Sequence, residues 1–290
     1  MPSPPSLSLK LTTRMTDHLP PWLELSCGNQ PFLLSLPHTG TEIPPDLQSR
    51  FVSPRLPLQD VDCWLERLYD FAFALDVTVV RTRICRSVID VNRDPSGKSL
   101  YPGMATTELC PLMTFSGSPL YREGCSPDAL EIEERKQNYF LPYHAVLQQE
   151  LNRLHRRHGS AFLYDAHSIR SQVPRLFEGI LPHCSLGTYR GESCDFRITK
   201  TIEDSLKKSA FSWITNGRFK GGWITRHYGN SSREIHAVQM ELACCSYMDE
   251  TKEIPYGPYS KSRSLGMRRF LRGLFKTLLE VIPQLVPEKL

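Results

Sequence analysis

The stretch QPFLLSLP at residues 30–37 is a short apolar run between Gly28 and Pro37, and it predicts a buried strand. It leads into PHTGT at residues 37–41, a turn that places His38 just beyond the strand. Outward along the chain, β-branched and apolar residues predict four more strands. These are VTVV at 77–80, SVIDV at 87–91, AFLY at 161–164 and AVQMEL at 237–242.

Four segments between or after these strands have apolar residues at helical spacing, namely residues 60–75, 128–158, 199–208 and 262–282. Asp60 is the expected N-cap of the first helix, and Pro142 should break or kink the second. Alternating strands and helices predict an α/β fold, a single three-layer domain whose mixed, mostly parallel sheet is flanked by helices. In such sheets, functional residues gather beyond the carboxyl ends of the strands.

The length of 290 residues, 40% of them hydrophobic, is enough for one domain with a large core. Residues 1–25 are predicted to be a disordered extension, and residues 26–290 to form the domain. Met15 is an alternative start within that extension.

The net charge of +4 is mild, and its excess lies on the last predicted helix, where a solvated face explains it. We expect no nucleic-acid partner, because a dense basic stripe with interleaved aromatics is missing. We also expect no membrane partner, since no apolar run approaches about 20 residues. Nine cysteines without a CxxC pair, and no signal sequence, predict a cytoplasmic protein with free thiols. No pattern specifies an oligomeric state.

Three polar residues lie at or near the ends of predicted strands: His38, His167 and Glu241. Two histidines and a carboxylate can hold zinc, and a further carboxylate can act as a general base for amide hydrolysis. No HExxH motif is present, so a hydrogen-bonded core histidine is the alternative for each. Asp165 shares a strand face with His167 and is either its orienting partner or a loop cap.

The third metal ligand has three candidates, Asp62, Asp60 and Glu42, of which the pattern favours Asp62. Asp60 and Asp62 are also explained by the dipole of the helix that they are predicted to open.

Arginines supply candidate anion-binding groups. Asn92 and Arg93 follow a predicted strand, and Arg86 lies just before it, where it can steady an oxyanion. Residues 216–229 (NGRFKGGWITRHYG) contain four glycines with Arg218 and Arg226, a composition that suits a dicarboxylate. The phosphate-loop order GxxxxGK[ST] is absent. A surface charge is the alternative for any one arginine, and a basic hairpin for the segment.

With these residues in view, the chain resembles the N-formylglutamate amidohydrolase family from about residue 31 to about residue 248. The motifs that carry the resemblance follow one order and include LPHTGTEIP, DVDCWLERLYDF, VIDVNRDP, YDAHSIRSQVPRLFEG, NGRFKGGWITRHYG and AVQMELACCSYM. The family is similar to the zinc carboxypeptidases and aspartoacylases, so the resemblance implies a zinc-carboxypeptidase-like fold.

The resemblance also implies roles for individual residues. Zinc would be held by His38 and His167, while Glu241 would be the base. The motif departs from the carboxypeptidases at Thr41, where they have a glutamate ligand, so Asp62, Glu42 or Asp60 must replace it. Arg86 would stabilise the oxyanion. The substrate-binding residues would be Asn92, Arg93, Arg218 and Arg226.

The implied reaction is hydrolysis of N-formyl-L-glutamate to formate and L-glutamate, at the last step of histidine breakdown. A small-molecule N-formyl amino acid is thus the expected partner. One alternative is an amidohydrolase for another N-acyl acidic amino acid, such as N-formylaspartate. Others are a non-catalytic zinc or dicarboxylate-binding protein, and an interaction protein that uses the basic C-terminal helix.

Overall fold

The computed structural model describes residues 19–250 and 258–286. Seven strands form one sheet in the order β1-β3-β2-β4-β7-β5-β6. They are β1 (Leu23–Ser26), β2 (Phe32–Leu36), β3 (Thr78–Thr82), β4 (Ala161–Ile169), β5 (Cys184–Gly187), β6 (Trp213–Thr215) and β7 (Ile235–Ala243). The α-helices are α1 (Pro45–Gln48), α2 (Leu65–Leu68), α3 (Phe71–Ala74), α4 (Ala129–Arg135), α5 (Leu141–His158), α6 (Phe196–Lys207), α7 (Trp223–Tyr228) and α8 (Lys261–Val281).

Four of the six strand pairs are parallel, which confirms the predicted mixed, mostly parallel sheet. Strands β3, β2, β4 and β7 run in one direction at the centre, so their carboxyl ends meet at one edge. Strand β1 is antiparallel to β3, and β5 is antiparallel to β7.

The two faces of the sheet bury different helices. Phe32, Leu34, Phe162 and Tyr164 belong to a core with α2, α3, α6 and α8, whereas Leu33 and Leu163 belong to a core with α5 and α7. Successive side chains of a strand point to opposite faces, so this alternation produces three layers. The three-layer α/β prediction is therefore confirmed.

The predicted helix over residues 60–75 is wrong in its first third. Residues 60–64 form a loop, and only the one-turn helices α2 and α3 follow. Trp64 has a left-handed backbone with φ 64°, which interrupts a right-handed helix at that residue. Asp60 is therefore not an N-cap. The loop is stabilised by a long-range hydrogen bond from the Asp62 amide to the His38 carbonyl (2.9 Å), which a local helix would not form.

The strand predicted at residues 87–91 is also wrong. The segment is a buried irregular stretch whose main chain pairs outside the sheet: the Asp90 amide donates to Leu109 and the Val88 carbonyl accepts from Arg135. Local β-branching does not reveal such partners, because they lie far away in the sequence.

Pro142 has the expected effect on the long helix. Residues Lys136–Phe140 form a π-helical turn directly before α5, where Pro142 occupies the first turn. A proline ring crowds the carbonyl four residues earlier and lacks an amide hydrogen, so a wider turn relieves the contact.

Predicted strands at 77–80, 161–164 and 237–242 and predicted helices at 199–208 and 262–282 are confirmed, with β4 and β7 longer than expected. The boundary at residue 25 is wrong, since β1 covers Leu23–Ser26 and pairs with β3. Residues 1–18, including Met15, lie outside the described residues. Within residues 19–250 and 258–286, no helix is both long and apolar enough to span a bilayer.

Substitution of Phe275 tests the core between the sheet and α8. Its buried ring lies 4.5 Å from that of Phe32 and 4.9 Å from that of Tyr164, centroid to centroid. Phe275→Ala should lower the free energy of unfolding by about 3–5 kcal/mol, because it leaves a cavity. Urea denaturation measures this, with Lys276→Ala on the exposed face of α8 as the control. A loss below about 1 kcal/mol would contradict this packing.

Candidate functional site

Three strand ends bring the predicted histidines and glutamate together. His38 follows β2 within the turn, and His167 lies in β4, opposite Glu241 of β7 in the parallel register. The two paired residues face the same side of the sheet, because partners in a register share a face. Each of the three side chains lines one cavity at this edge.

Three donor atoms face a common point. The Nδ1 atoms of His38 and His167 are 3.1 Å apart, and Asp62 Oδ2 lies 3.2 Å from His167 Nδ1 and 3.8 Å from His38 Nδ1. All three residues are buried. The three donor atoms lie within 4.8 Å of one another, a spacing that can hold a metal ion.

The far side of each imidazole is held by a buried carboxylate. His38 Nε2 contacts Asp90 Oδ1 at 2.7 Å, and His167 Nε2 contacts Asp165 Oδ2 at 2.8 Å. A hydrogen on each Nε2 leaves the two Nδ1 lone pairs facing each other and Asp62. A metal ion between these atoms would satisfy all three donors, while Asp90 and Asp165 hold the far nitrogens, as second-shell carboxylates do at metal sites.

The electrostatics of the cluster also fit a cation. Asp62 Oδ1 is buried and has no hydrogen-bond partner in the described parts of the chain. Burial and the nearby Arg86 lower the pKa of His38, which keeps this imidazole neutral and able to ligate. Burial lowers the pKa of His167, but Asp165 and Asp62 outweigh it and raise that pKa well above its ordinary value. Positive charge is therefore favoured between these groups, and the donor set suits a divalent metal ion.

The rival third ligands lie elsewhere. Glu42 is exposed and forms an ion pair with Arg83. Asp60 accepts a hydrogen bond from the Phe115 amide (2.7 Å), and burial raises its pKa to about 6. Neither belongs to the donor cluster, so the geometry favours Asp62.

Glu241 lies beside the cluster and has a free carboxylate oxygen. Gln239 donates to its Oε2 (2.9 Å), and no hydrogen bond to its Oε1 exists among the described residues. Burial raises the pKa of Glu241 to about 7, against the opposing effect of the His167 cation. A carboxyl group with a pKa near neutrality suits proton transfer.

Arg86 is buried and tied to the same network. Its Nη2 donates to Asp90 Oδ2 (2.6 Å), and its Nη1 lies 4.0 Å from Asp62 Oδ1. Arg93 Nη1 lies 3.6 Å from Asp90 Oδ2, while its other nitrogens donate to Thr107. Both arginines line the cavity, as a role on substrate or oxyanion would require.

Asn92 is used differently from the prediction. Its Nδ2 donates to Asp165 Oδ2 (3.1 Å), and its Oδ1 accepts from the Ile224 amide (2.8 Å). Both ends of the amide are thus engaged inside the protein. The structure therefore favours a role in orienting Asp165 and the first turn of α7 over direct binding of substrate.

The two arginines of the glycine-rich segment, Arg218 and Arg226, have different surroundings. Arg218 lines the cavity, whereas Arg226 is not among the lining residues and donates to the carbonyls of Gly221 and Leu100. The structure therefore favours a structural role for Arg226 over direct binding of substrate. Its guanidinium is committed to the main chain and to stacking against Tyr101 and Tyr189.

The glycines of this segment serve packing rather than an anion. A Cβ at Gly222 would lie 2.5 Å from Asn92 Nδ2, and a Cβ at Gly221 would lie 2.9 Å from Thr225 Cγ2. Gly221 also has φ 108°, which side-chain-bearing residues rarely adopt. Another group does approach the main chain closely at these glycines, as predicted, but that group is a side chain of the protein, Asn92 or Thr225.

Sequence reasoning missed other residues that line the cavity, among them Lys98, Tyr101, Thr107 and Gln239. The first three lie in the stretch at 95–128 that is rich in Pro and Gly, a length that marks functional loops. Gln239 shares a strand face with Glu241, a signal available from the period of two.

Comparisons with known proteins show the family to which this chain belongs. The sequence profile of the N-formylglutamate amidohydrolase family matches residues 30–248. The N-formylglutamate deformylase of Pseudomonas putida is 44% identical over 230 residues, 79% of this chain and 86% of that protein. That of Pseudomonas aeruginosa is 43% identical over 258 residues, 89% of this chain and 96% of that protein.

The fold is similar to the crystal structure of N-formylglutamate amidohydrolase from Ralstonia eutropha JMP134. The TM-score is 0.75 at 21% identity, with 90% of this chain and 98% of that chain covered. At that identity, the likeness supports the architecture alone. The profile match and the two deformylases carry the assignment: this chain belongs to the N-formylglutamate amidohydrolase family.

Proposed function

We propose that this protein hydrolyses N-formyl-L-glutamate to formate and L-glutamate. The observation that carries the proposal is the donor cluster of His38, Asp62 and His167 beside Glu241, at a cavity that is also lined by the cationic side chains of Arg86, Arg93 and Arg218. The family membership and the names of the two Pseudomonas relatives support the substrate. The nine free cysteines support a reducing compartment, and we place the reaction in the cytoplasm, as a step of histidine breakdown.

We propose that His38 Nδ1, His167 Nδ1 and Asp62 hold one zinc ion. When bound, such an ion supplies a Lewis acid that activates water and polarises a carbonyl. The protein contributes the orientation of its ligands, since Asp90 and Asp165 hold the two imidazoles from behind. Two imidazoles and one carboxylate are a donor set that catalytic zinc proteins use.

Glu241 moves the proton in this proposal. Its unbonded Oε1 accepts a proton from the attacking water and later delivers it to the nitrogen of the departing glutamate. The water oxygen forms the new bond to the formyl carbon, and the carbon–nitrogen bond breaks, so the products are formate and L-glutamate. Gln239 holds the other oxygen and thereby limits rotation of the carboxyl group.

Cationic side chains handle the negative charges. Arg86 steadies charge that develops on the formyl oxygen, because it is buried and its field is poorly screened. Arg93 and Arg218 attract the two carboxylates of the substrate. An N-formyl amino acid with an uncharged side chain has only its α-carboxylate and would leave one of these cations without an anionic partner.

The proposed reaction is tested by assaying formate release from N-formyl-L-glutamate, with N-formyl-L-aspartate alongside. Release should prefer the glutamate compound, vanish with a chelator and return with zinc. One methylene is worth only about 1–3 kcal/mol in a pocket, so a preference of roughly 10- to 200-fold is expected. No release from either compound, by protein shown to contain metal, would refute the proposed substrate.

Glu241→Gln tests the proton carrier. The variant should fold and keep its metal but lose about 10²–10⁴-fold in kcat, the usual contribution of a general base. Glu280→Gln, an exposed change on α8, is the matched control. Near-normal kcat in a metal-loaded Glu241→Gln protein would remove Glu241 from the mechanism.

Asp62→Asn tests the third ligand. Loss of an outer-shell partner costs about 10–100-fold in metal affinity, so removal of a direct ligand should cost more than about 100-fold. Zinc affinity is measured by competition with a chromogenic chelator. Asp60→Asn and Glu42→Gln are the matched controls and should bind zinc normally. If Asp60→Asn lost as much zinc affinity as Asp62→Asn, the assignment of Asp62 as the third ligand would be rejected.

A further inference from the structure

The cations that line the cavity differ in how far their charge is already used. Arg86 and Arg93 both lie against Asp90, whereas Arg218 has no acidic side chain within 4 Å in the described chain. Arg218 is half-buried, so its charge is only partly solvated. A guanidinium in this state favours an anionic ligand, with which it can form charge-assisted hydrogen bonds.

Arg218 is held firmly with one end left free. Its Nε donates to the Leu176 carbonyl (2.8 Å) and its Nη2 to the Ala105 carbonyl (3.0 Å). Nη1 makes no hydrogen bond to any described residue. The guanidinium also packs 5.4 Å from the ring centroids of Tyr101 and Phe219. A ligand can therefore reach a donor whose direction is already set.

Arg93 and Arg218 are held in the cavity by different partners. Arg93 follows Asn92, which contacts His167, and it lies against the carboxylate that holds His38. Arg218 is instead hydrogen-bonded to the carbonyls of Leu176 and Ala105 and packs against two aromatic rings, outside the hydrogen-bond network around Asp90. In an N-formyl amino acid, the α-carboxylate is close to the scissile bond, and the side-chain carboxylate of glutamate lies farther away. Arg93, which belongs to the network around His38, thus suits the first carboxylate, and Arg218, which is held outside that network, suits the second.

The ring of Tyr101 lies against both Arg218 and Arg226. Arg226 is 4.9 Å from the Tyr101 centroid and 4.8 Å from that of Tyr189. The Tyr101 hydroxyl donates to the Gly221 carbonyl and accepts from the Lys220 amide. Arg226 Nη1 also donates to the Leu100 carbonyl (3.0 Å). Arg226 therefore fixes the wall on which Arg218 rests, without entering the cavity.

We infer that Arg218 recognises the side-chain carboxylate of the substrate, and that Arg226 is a positioning residue that acts through Tyr101. This assignment rests on the proposed function, and it explains why the enzyme would prefer a substrate with an acidic side chain. Lys98 is the rival reader of that carboxylate. It lines the same cavity but is exposed, so its charge is largely solvated and its flexible stem must be ordered on binding.

The test compares kcat/KM for N-formyl-L-glutamate with that for N-formyl-L-glutamine, whose side chain has the same shape without the charge. In Arg218→Gln the preference for the glutamate compound should fall roughly 100-fold, the effect of removing one partner of a charged hydrogen-bonded pair. Activity on the glutamine compound should change little. Arg218→Lys retains the charge and should keep part of the preference.

Arg93→Gln provides the contrast within the same cavity. Arg93 faces the α-carboxylate that both compounds share, so the variant should lose activity on the two compounds by the same factor. Arg226→Met should lower the preference by about tenfold, less than the Arg218 variant, because only stacking and orientation are lost. A merely structural role for Arg226 would lower both activities equally. Arg269→Gln, an exposed change on α8, is the control for loss of positive charge.

An equal loss on both compounds in Arg218→Gln and in Arg218→Lys would overturn the assignment. If Lys98→Gln lost the preference for N-formyl-L-glutamate while Arg218→Gln kept it, Lys98 and not Arg218 would be the residue that recognises the side-chain carboxylate. Wild-type protein is measured first. If it releases formate from neither compound, the proposed function fails; if it is active while the preference survives in Arg218→Gln, only this inference fails.

Discussion

The buried carboxylate of Asp90 is the constraint on which the site depends. It is 0% exposed and bonded to His38 Nε2, Arg86 Nη2 and the Asn92 amide. A buried carboxylate without partners would cost several kcal/mol, so these groups must converge on it. That convergence draws an irregular segment into the core beside the strand ends. It also sets the tautomer of His38 and the place of the neighbouring Arg86.

The parallel register between β4 and β7 supplies the second half of the arrangement. It places His167 opposite Glu241, and two residues earlier Asp165 opposite Gln239. Asn92 and Gln239 then accept from the amides of Ile224 and Gly222 at the start of α7. The first turn of that helix is thus hydrogen-bonded to Asn92, which contacts His167, and to Gln239, which contacts Glu241. The packing of α7 is therefore coupled to the orientation of His167 and Glu241.

The positive charges divide according to how they are paired. Arg86 and Arg93 share Asp90, which keeps them beside the reacting centre. Arg226 is hydrogen-bonded to carbonyls and packs against aromatic rings, while Arg218 has one nitrogen without a hydrogen bond to any described residue. Four arginines of similar sequence appearance thereby acquire different tasks. Their partners, and not their sequence neighbours, distinguish them.

The sequence by itself determined the central strands and the residues at their ends. Apolar runs mark β2, β4 and β7 locally, and chain direction then brings His38, His167 and Glu241 to one edge. Helix periodicity misled at residues 60–64 because a long-range bond from the Asp62 amide to His38 outweighs local propensity.

Only the tertiary structure decided which carboxylate joins the histidines and which arginine enters the cavity. The sequence offers Asp62, Asp60 and Glu42 and favours Asp62 without excluding the others, whereas in the structure Asp62 alone of the three reaches the two Nδ1 atoms. Arg218 lines the cavity, whereas Arg226 is hydrogen-bonded to the Leu100 and Gly221 carbonyls and packs against Tyr189. Local pattern specifies strands through backbone preference and burial, whereas side-chain destinations follow from partners that only the folded chain brings near.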